Sequence, residues 1–445
     1  MSGRRFPNTY VIISAIIVLC ALATWFVPGG QFVKADDGSV SYSGIASQPQ
    51  SWQIFSALYD GFCRQAGIIV FILVVGGAFW ILNATGAVTF GIRRFIAGVG
   101  RHEKLVLAGI AVLFSLGGAV FGMSEETIPF VGIVVPLVVS MGYNAVVGFL
   151  IVYVAANIGF SGAFLNPFTI GVAQEMADLP LFSGMGYRVL CWCILTAAMV
   201  AFTLIYASRI RKAPAAAGMS ADAPEEAAGS HRRHALILTV LLVTVVALIV
   251  GVTCLHWYIS EISALFLAMG VICGVISGYS ANRIADEFVA GAKDIFPAAM
   301  VVGLASGIVV ILENGHIIDS ILHGMATGLD GAGRTGALSL MYGIQTVINL
   351  VIPSATAKAA ITIPIMAPFS DMIGLSRQAM VLAFQFGDGF TNMITPTSGV
   401  LVAALAMARI PYAEWFKMAW KWILALILLG FVLLLPAVFL SITGF

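Results

Sequence analysis

Apolar positions fall in long runs along the chain, at about 8–27, 68–86, 105–121, 127–141, 145–173, 187–207, 235–254, 262–279, 297–312, 335–353, 357–373, 376–406 and 418–442. A helix of roughly 20 apolar residues matches the hydrocarbon thickness of a bilayer, so the runs predict helices that cross or enter a membrane. The runs 105–121 and 127–141 form a close pair, as do 335–353 and 357–373. Their short polar tips are Gly122-Met123-Ser124-Glu125-Glu126-Thr127 and Pro353-Ser354-Ala355-Thr356-Ala357-Lys358. Such pairs suit re-entrant hairpins as well as full spans. With both read as hairpins, the pattern predicts an all-α polytopic membrane protein with two re-entrant hairpins and about nine full transmembrane helices.

Composition removes the soluble alternative. Of 445 residues 60% are hydrophobic and 10% charged, with a mean hydropathy of +1.01, where soluble domains carry about 25% charged residues. A net charge of +1 excludes a nucleic-acid binder working through a global basic field. The six cysteines have no CxxC spacing and read as small apolar fillers. The run after Arg4-Arg5 lacks a small-x-small cleavage site before Pro28 and is expected to be a retained first span. Most of the 22 Lys and Arg then fall on one side; the exceptions are Lys34, Arg64, Arg188, Arg334 and Arg377, with Lys358 inside the membrane. The positive-inside rule thus places the N-terminus in the cytoplasm, for a multi-pass protein of the cell (inner) membrane. It fixes orientation without proving re-entrance. The segment 281–296 reads as a helix lying along the cytoplasmic interface. His231 and His234 read as solvated linker residues. Trp257, Tyr258, Trp415, Trp420 and Trp422 read as interfacial belt residues.

An internal repeat runs through the chain. Ser124 matches Ser354, Pro136 matches Pro368 and Pro167 matches Pro396, at a nearly constant offset of about 230 residues. Phe160-Ser161 aligns with Phe390-Thr391. The expected organisation is a first membrane repeat over 1–207 (hairpin about 104–141, broken helix about 145–180) and a cytoplasmic linker over 208–234. A linking span at 235–260 leads to a second repeat over 261–445 (hairpin about 335–373, broken helix about 376–410). The charge-derived topology inverts the second copy. Each copy holds about five spans or hairpins, the architecture that exposes a midplane site to either side in turn.

Ionisable groups stand where hydrocarbon is expected: Glu125, Glu126, Lys358 and Asp388. Each costs on the order of 3 kcal/mol at the centre of an isolated helix, so they should face an internal cavity. A Lys358–Glu pair that locks the tips together is the purely structural alternative. The runs around Asn157-Ile158-Gly159 through Asn166-Pro167, and around Gly387-Asp388-Gly389 through Thr395-Pro396, are polar and Gly/Pro-punctuated. They predict two broken helices, whose freed carbonyls could ligate a cation and whose new N-termini could hold a carboxylate.

Several motifs carry a family resemblance. They are Phe6-Pro7-Asn8-Thr9, Trp25 through Gly30, Gly117 through Met123 with Glu125-Glu126, and above all Val381 through Phe390 continuing to Pro396-Thr397-Ser398. With these the chain resembles the ion transporter superfamily, and within it the YfcC-like branch of the anaerobic C4-dicarboxylate carrier family. Gly387-Asp388, Thr391-Asn392 and Ile394-Thr395-Pro396 also resemble the p-aminobenzoyl-glutamate carriers. The resemblance implies a homodimeric secondary active transporter with an elevator-like motion, using Na⁺ or H⁺ as coupling ion and no cofactor. It implies a first cation site at Ser124, Thr127, Asn157 and Gly159 and a second at Ser354, Thr356, Asp388 and Thr391. Substrate contacts are expected from Ser124, Glu125, Glu126, Asn166, Ser354, Thr356, Lys358, Asn392, Thr395, Thr397 and Ser398. One departure is that related carriers of divalent anions present Ser-Asn-Thr at both tips, where this chain has Ser124-Glu125-Glu126-Thr127 and Ser354-Ala355-Thr356. Two acids repel a dicarboxylate, so an amino acid is as plausible a substrate as a C4-dicarboxylate. Exchange of basic amino acids (arginine against ornithine) is the alternative. A channel and an intramembrane enzyme are remoter readings; there is no HExxH and no GxSxG within a span. Asp388→Asn is expected to abolish ion-coupled uptake and leave folding intact.

Overall fold

A computed structural model describes residues 9–34, 40–88, 90–91, 94, 102–210, 228–255, 257–327 and 333–439. Because hydrocarbon offers the backbone no hydrogen-bond partner, a chain this apolar satisfies its amides within helices. Among the described residues six helices are long and apolar enough to cross a bilayer: Ala66–Ala84, Glu103–Val120, Met185–Ile210, His231–Leu248, Ile259–Ile276 and Tyr412–Phe439. Ala281–Asn314, bent by 40° near Pro297, makes a seventh if taken as one span. Length alone thus returns fewer than the nine spans expected. The broken helices fall below span length because they are interrupted, whereas one hairpin arm reaches it.

The element order repeats. In the first half the arms Glu103–Phe121 and Thr127–Ser140 precede an interrupted helix, Ala145–Ser161 and then Pro167–Gly171 with Val172–Met176, and the long helix Met185–Ile210 follows. In the second half the arms Gly333–Asn349 and Ala355–Met372 precede Arg377–Asn392 and Gly399–Met407, followed by Tyr412–Leu434. Both interruptions fall at the Gly/Pro-punctuated polar segments, as the sequence predicts.

Other expectations are corrected. The chain is not wholly α: Gly30–Lys34 pairs antiparallel with Val40–Gly44. This β-hairpin rests on the helix Ile318–Thr327, where the Phe32 amide donates to Asp319 at 3.0 Å and Tyr42 stacks on His323 with ring centroids 3.9 Å apart. The segment 281–296 is not a separate interfacial helix but the first part of the bent one. The expected linker is shorter, because the helix Ala228–Cys254 begins inside it, and positions 211–227 lie outside the described residues. His234 is buried, its Nε2 3.2 Å from the Thr85 carbonyl. Trp415 is also buried, against Phe149, and its indole donates to the Met393 carbonyl at 2.8 Å.

Small residues set the helix spacing around the site, as they do wherever membrane helices must approach closely. A Cβ on Gly159 would sit 1.7 Å from the Ser115 carbonyl oxygen, and one on Gly118 would sit 1.9 Å from that of Ala156. The first hairpin arm therefore touches the first broken helix backbone to backbone. In the second half a Cβ on Gly387 would sit 2.8 Å from Gln345 Cβ. The two broken helices cross where Gly389 meets Ser161.

Candidate functional site

Each tip turns polar because its helix stops there. Gly122 ends the arm Glu103–Phe121 in the left-handed region (φ +70°), where a Cβ would also strike Asn166 Oδ1 at 2.5 Å. Helix Thr127–Ser140 then starts against the tip, with the Thr127 hydroxyl on the Ser124 carbonyl and the Glu126 carboxylate accepting from the Ser124 amide at 3.0 Å. The second tip ends in the helix Ala355–Met372, which begins beside Ser354. Ser398 caps the restarted helix Gly399–Met407 by accepting from the Leu401 amide.

Both tips and both breaks line one cavity of about 380 Å³. Gly122, Ser124, Glu125 and Glu126 come from the first tip, and Ile352 through Ala357 from the second. Tyr153, Asn157, Phe160 and Thr169 come from the first broken helix; Asn392, Thr397, Ser398, Gly399 and Val400 come from the second. Val302, Ala305, Ser306 and Val309 of the bent helix close one wall, with Arg64, Gln65, Ile68 and Tyr258 completing the lining.

The expected site residues therefore divide. Ser124, Glu125, Glu126, Asn157, Ser354, Thr356, Asn392, Thr397 and Ser398 line the cavity together. Thr127, Gly159, Asn166, Lys358, Asp388, Thr391 and Thr395 stand behind that lining. Gly159 serves the contact with Ser115, and Asn166 packs beside Gly122. The Thr395 hydroxyl lies 2.7 Å from that of Thr397, and both reach the Leu350 carbonyl. Lys358 meets neither Glu125 nor Glu126. Its Nζ lies 2.9 Å from Asp388 Oδ1, both side chains sealed from solvent (0% and 1% exposed), and 4.8 Å from the centroid of the Phe384 ring. Asn392 Nδ2 donates to the other carboxylate oxygen of Asp388 at 3.0 Å. Asn349 Nδ2 sits 3.0 Å from the Asp388 carbonyl, 2.8 Å from Thr391 Oγ1 and 2.8 Å from Asn392 Oδ1.

The freed carbonyls of the second break are also spoken for. Tyr153 donates to Asn392 O, Trp415 to Met393 O and Tyr412 to Ile394 O, at 3.1, 2.8 and 2.6 Å. Across the crossing, Gln385 Nε2 donates to Phe160 O and, at 3.1 Å, to Thr169 Oγ1. Each broken helix thus donates to a carbonyl of the other, and the helix Tyr412–Leu434 takes up those of Met393 and Ile394, which offsets the several kcal/mol that an unpaired backbone group costs in a dry interior.

The electrostatics of the cavity are one-sided. Glu125 and Glu126 bring two carboxyl groups to it, and Arg64 is the basic side chain in its lining. Arg64 is already engaged at the rim, making two bonds to Glu313 at 2.7 and 3.0 Å, and that contact holds its guanidinium pKa above the usual arginine value. The charge on Glu125, then burial, then Glu126 raise the Tyr258 phenol well above its ordinary pKa. The N-terminal ends of two helices, Ala355–Met372 and Gly399–Met407, line the same cavity as the acids, positive ends of the backbone dipole that carry no acid in their first turns. Among the described residues no cluster of three or more His, Cys, Asp or Glu could hold a metal ion.

Sequence reasoning missed several lining residues. Tyr258 reads as a belt residue because it follows Trp257, and Tyr153 and Ser306 carry no local signal. Arg64 does leave a trace, as one of the few basic residues on the side opposite to most.

A family model described as the C4-dicarboxylate anaerobic carrier, DcuC, matches residues 6–439. Escherichia coli (strain K12) YfcC, provisionally named a basic amino acid antiporter, is 35% identical over 92% of both chains. An uncharacterized protein of Haemophilus influenzae (strain ATCC 51907 / DSM 11121 / KW20 / Rd) is 26% identical over 98% of this chain and 97% of its own. Among solved structures, the Alcanivorax borkumensis YdaH transporter aligns with a TM-score of 0.45 and 18% identity, covering 98% of this chain and 100% of its own. Neisseria gonorrhoeae MtrF, described within a class of antimetabolite efflux pumps, aligns with a TM-score of 0.46 and 17% identity over 98% and 96%.

Proposed function

Since the chain belongs to the C4-dicarboxylate anaerobic carrier family and is a membrane transporter, we propose that it is a secondary active carrier of a small amino acid. The substrate's ammonium lies toward Glu125 and Glu126. Its carboxylate lies toward the helix ends at Ser354–Thr356 and Ser398–Gly399. Na⁺ or H⁺ drives it, and alternating access between two inverted repeats carries it across, in an elevator-like motion of a homodimer in the inner membrane with its N-terminus in the cytoplasm.

The observation that carries this reading is the pair Glu125–Glu126 in the cavity wall, with Lys358 withdrawn to Asp388 and Arg64 held by Glu313. A dicarboxylate would meet two acids and no available cation. An amino acid meets both of its charges with their opposites, and the unpaired acid would accommodate the second cation of a basic one. Exchange of basic amino acids is therefore the second reading, and the name given to the E. coli relative supports it. The repeated element order supports alternating access.

Proteoliposomes tested with radiolabelled arginine, ornithine, neutral amino acids and succinate, under imposed Na⁺, H⁺ and counter-substrate gradients, decide between the substrates. The expected result is amino-acid uptake or exchange well above that of succinate. Succinate uptake that persists unchanged in Glu125→Gln/Glu126→Gln would overturn the assignment.

A further inference from the structure

The second half of the chain holds the parts of a cation site: a carboxylate, a hydroxyl, a side-chain carbonyl and a backbone carbonyl, on Asp388, Thr391 and Asn392. Each of these oxygens already faces a nitrogen of the chain. The Lys358 ammonium stands 2.9 Å from Asp388 Oδ1. The Asn349 amide nitrogen stands within 3.0 Å of the Asp388 carbonyl, Thr391 Oγ1 and Asn392 Oδ1. We propose that Lys358 and Asn349 are tethered occupants of this second site, so that the second repeat binds no mobile cation and the coupling ion belongs to the first repeat alone. The inference rests on the reading of the cavity as a carrier's site.

The internal repeat strengthens it. At the offset that matches Ser124 to Ser354, Lys358 falls on Ile128 and Asn349 on Ala119. In the alignment that matches Phe160-Ser161 to Phe390-Thr391, Asp388 falls on Ile158. All three counterparts are completely buried and apolar. The first repeat therefore has neither the fixed ammonium nor the fixed amide, and its acids project from the tip into the cavity. A buried pair such as Lys358–Asp388 gains little stability over well-packed apolar residues of the same volume. Its retention in one repeat only fits a role in ion stoichiometry better than a role in packing. A lysine side chain reaches the carboxylate in every conformation in which its hairpin stays docked. It therefore gives the second site a constant positive charge that no gradient can empty.

The test is a count of bound ²²Na⁺ per chain on detergent-purified protein at pH 8, with choline replacing Na⁺ as control. Lys358→Met exposes the Asp388 carboxylate and is expected to bind one more Na⁺ per chain than the wild type. Lys358→Met/Asp388→Asn is expected to return to the wild-type count, whatever that count is. A folded Lys358→Met that gains no Na⁺ would overturn the proposal, as would a double variant that binds one fewer than the wild type. Should the single variant fail to fold, the double variant alone decides. The count requires no transport, so it stands or falls separately from the uptake screen.

Discussion

Glu125 and Asp388 are both acids in a membrane interior, and their surroundings assign them opposite tasks. Glu125 reaches the cavity beside Glu126, where the proposed cation or cationic substrate would be its counter-charge. Asp388 is neutralised within the protein by Lys358 and held by Asn392. Neutralising Glu125 and Glu126 together as glutamines should lower arginine or ornithine exchange at least tenfold while leaving thermal unfolding in detergent nearly unchanged, which paired uptake and melting measurements would read. Asp388→Asn should not leave folding intact, contrary to the expectation from sequence. It strands a buried ammonium, at a cost of about 3–5 kcal/mol. Lys358→Met/Asp388→Leu removes both charges and should melt well above Asp388→Asn, a comparison that thermal unfolding makes directly.

Among the elements, the hairpins and broken helices depend on close backbone contact more than on side-chain interlocking. The arm Glu103–Phe121 can lie on the helix Ala145–Ser161 only while positions 118 and 159 lack a Cβ. Gly159→Ala should separate the two and cost about 1–3 kcal/mol. Gly109→Ala, on the same arm with open space around its Cα, should be neutral or slightly stabilising. Melting temperatures of the two variants provide the check, and equal values would mean that the arm and the helix do not meet as described. The second break holds its shape through Trp415, Tyr412 and Tyr153, which take up the carbonyls that the interrupted helix releases. Trp415→Phe keeps most of the packing but leaves Met393 O unpaired. It should cost about 1–3 kcal/mol in stability, again read by thermal unfolding.

In the molecule as a whole, the cavity belongs to neither half. Its floor and walls come from both tips and both breaks, and the rim carries the Arg64–Glu313 bridge between the helices Gln53–Arg64 and Ala281–Asn314. If the two tips bracket one substrate, cysteines placed singly at Ser124 and Ser354 should both react with a membrane-impermeant thiol reagent. Each should react from the side to which its cavity opens, and a transported amino acid should protect both. Protection of only one would place the substrate outside the shared cavity.

The membrane class, the paired runs with polar tips, the two interrupted helices and the approximate repeat were all legible in the sequence. They depend on local properties: apolar length, the backbone demands of Gly and Pro, and the rarity of charge in hydrocarbon. The meeting of Ser124, Glu125 and Asn157 with Ser354, Asn392 and Ser398 was also expected, because a polar residue in an apolar run has to face something other than lipid. Which charge answers which was not legible. Lys358 was read as a substrate contact or a partner of the glutamates and lies on Asp388, Gly159 was read as a cation ligand and packs on Ser115, and Trp415 was read at the interface and caps a carbonyl in the core. Sequence therefore determined that buried polar groups must find partners, since an unpaired one costs several kcal/mol in such a solvent. Only the tertiary structure chose the partners, because residues 30 positions apart (Lys358 and Asp388, 2.9 Å) or 239 positions apart (Tyr153 and Asn392, 3.1 Å) meet through the crossing of helices that no local pattern encodes.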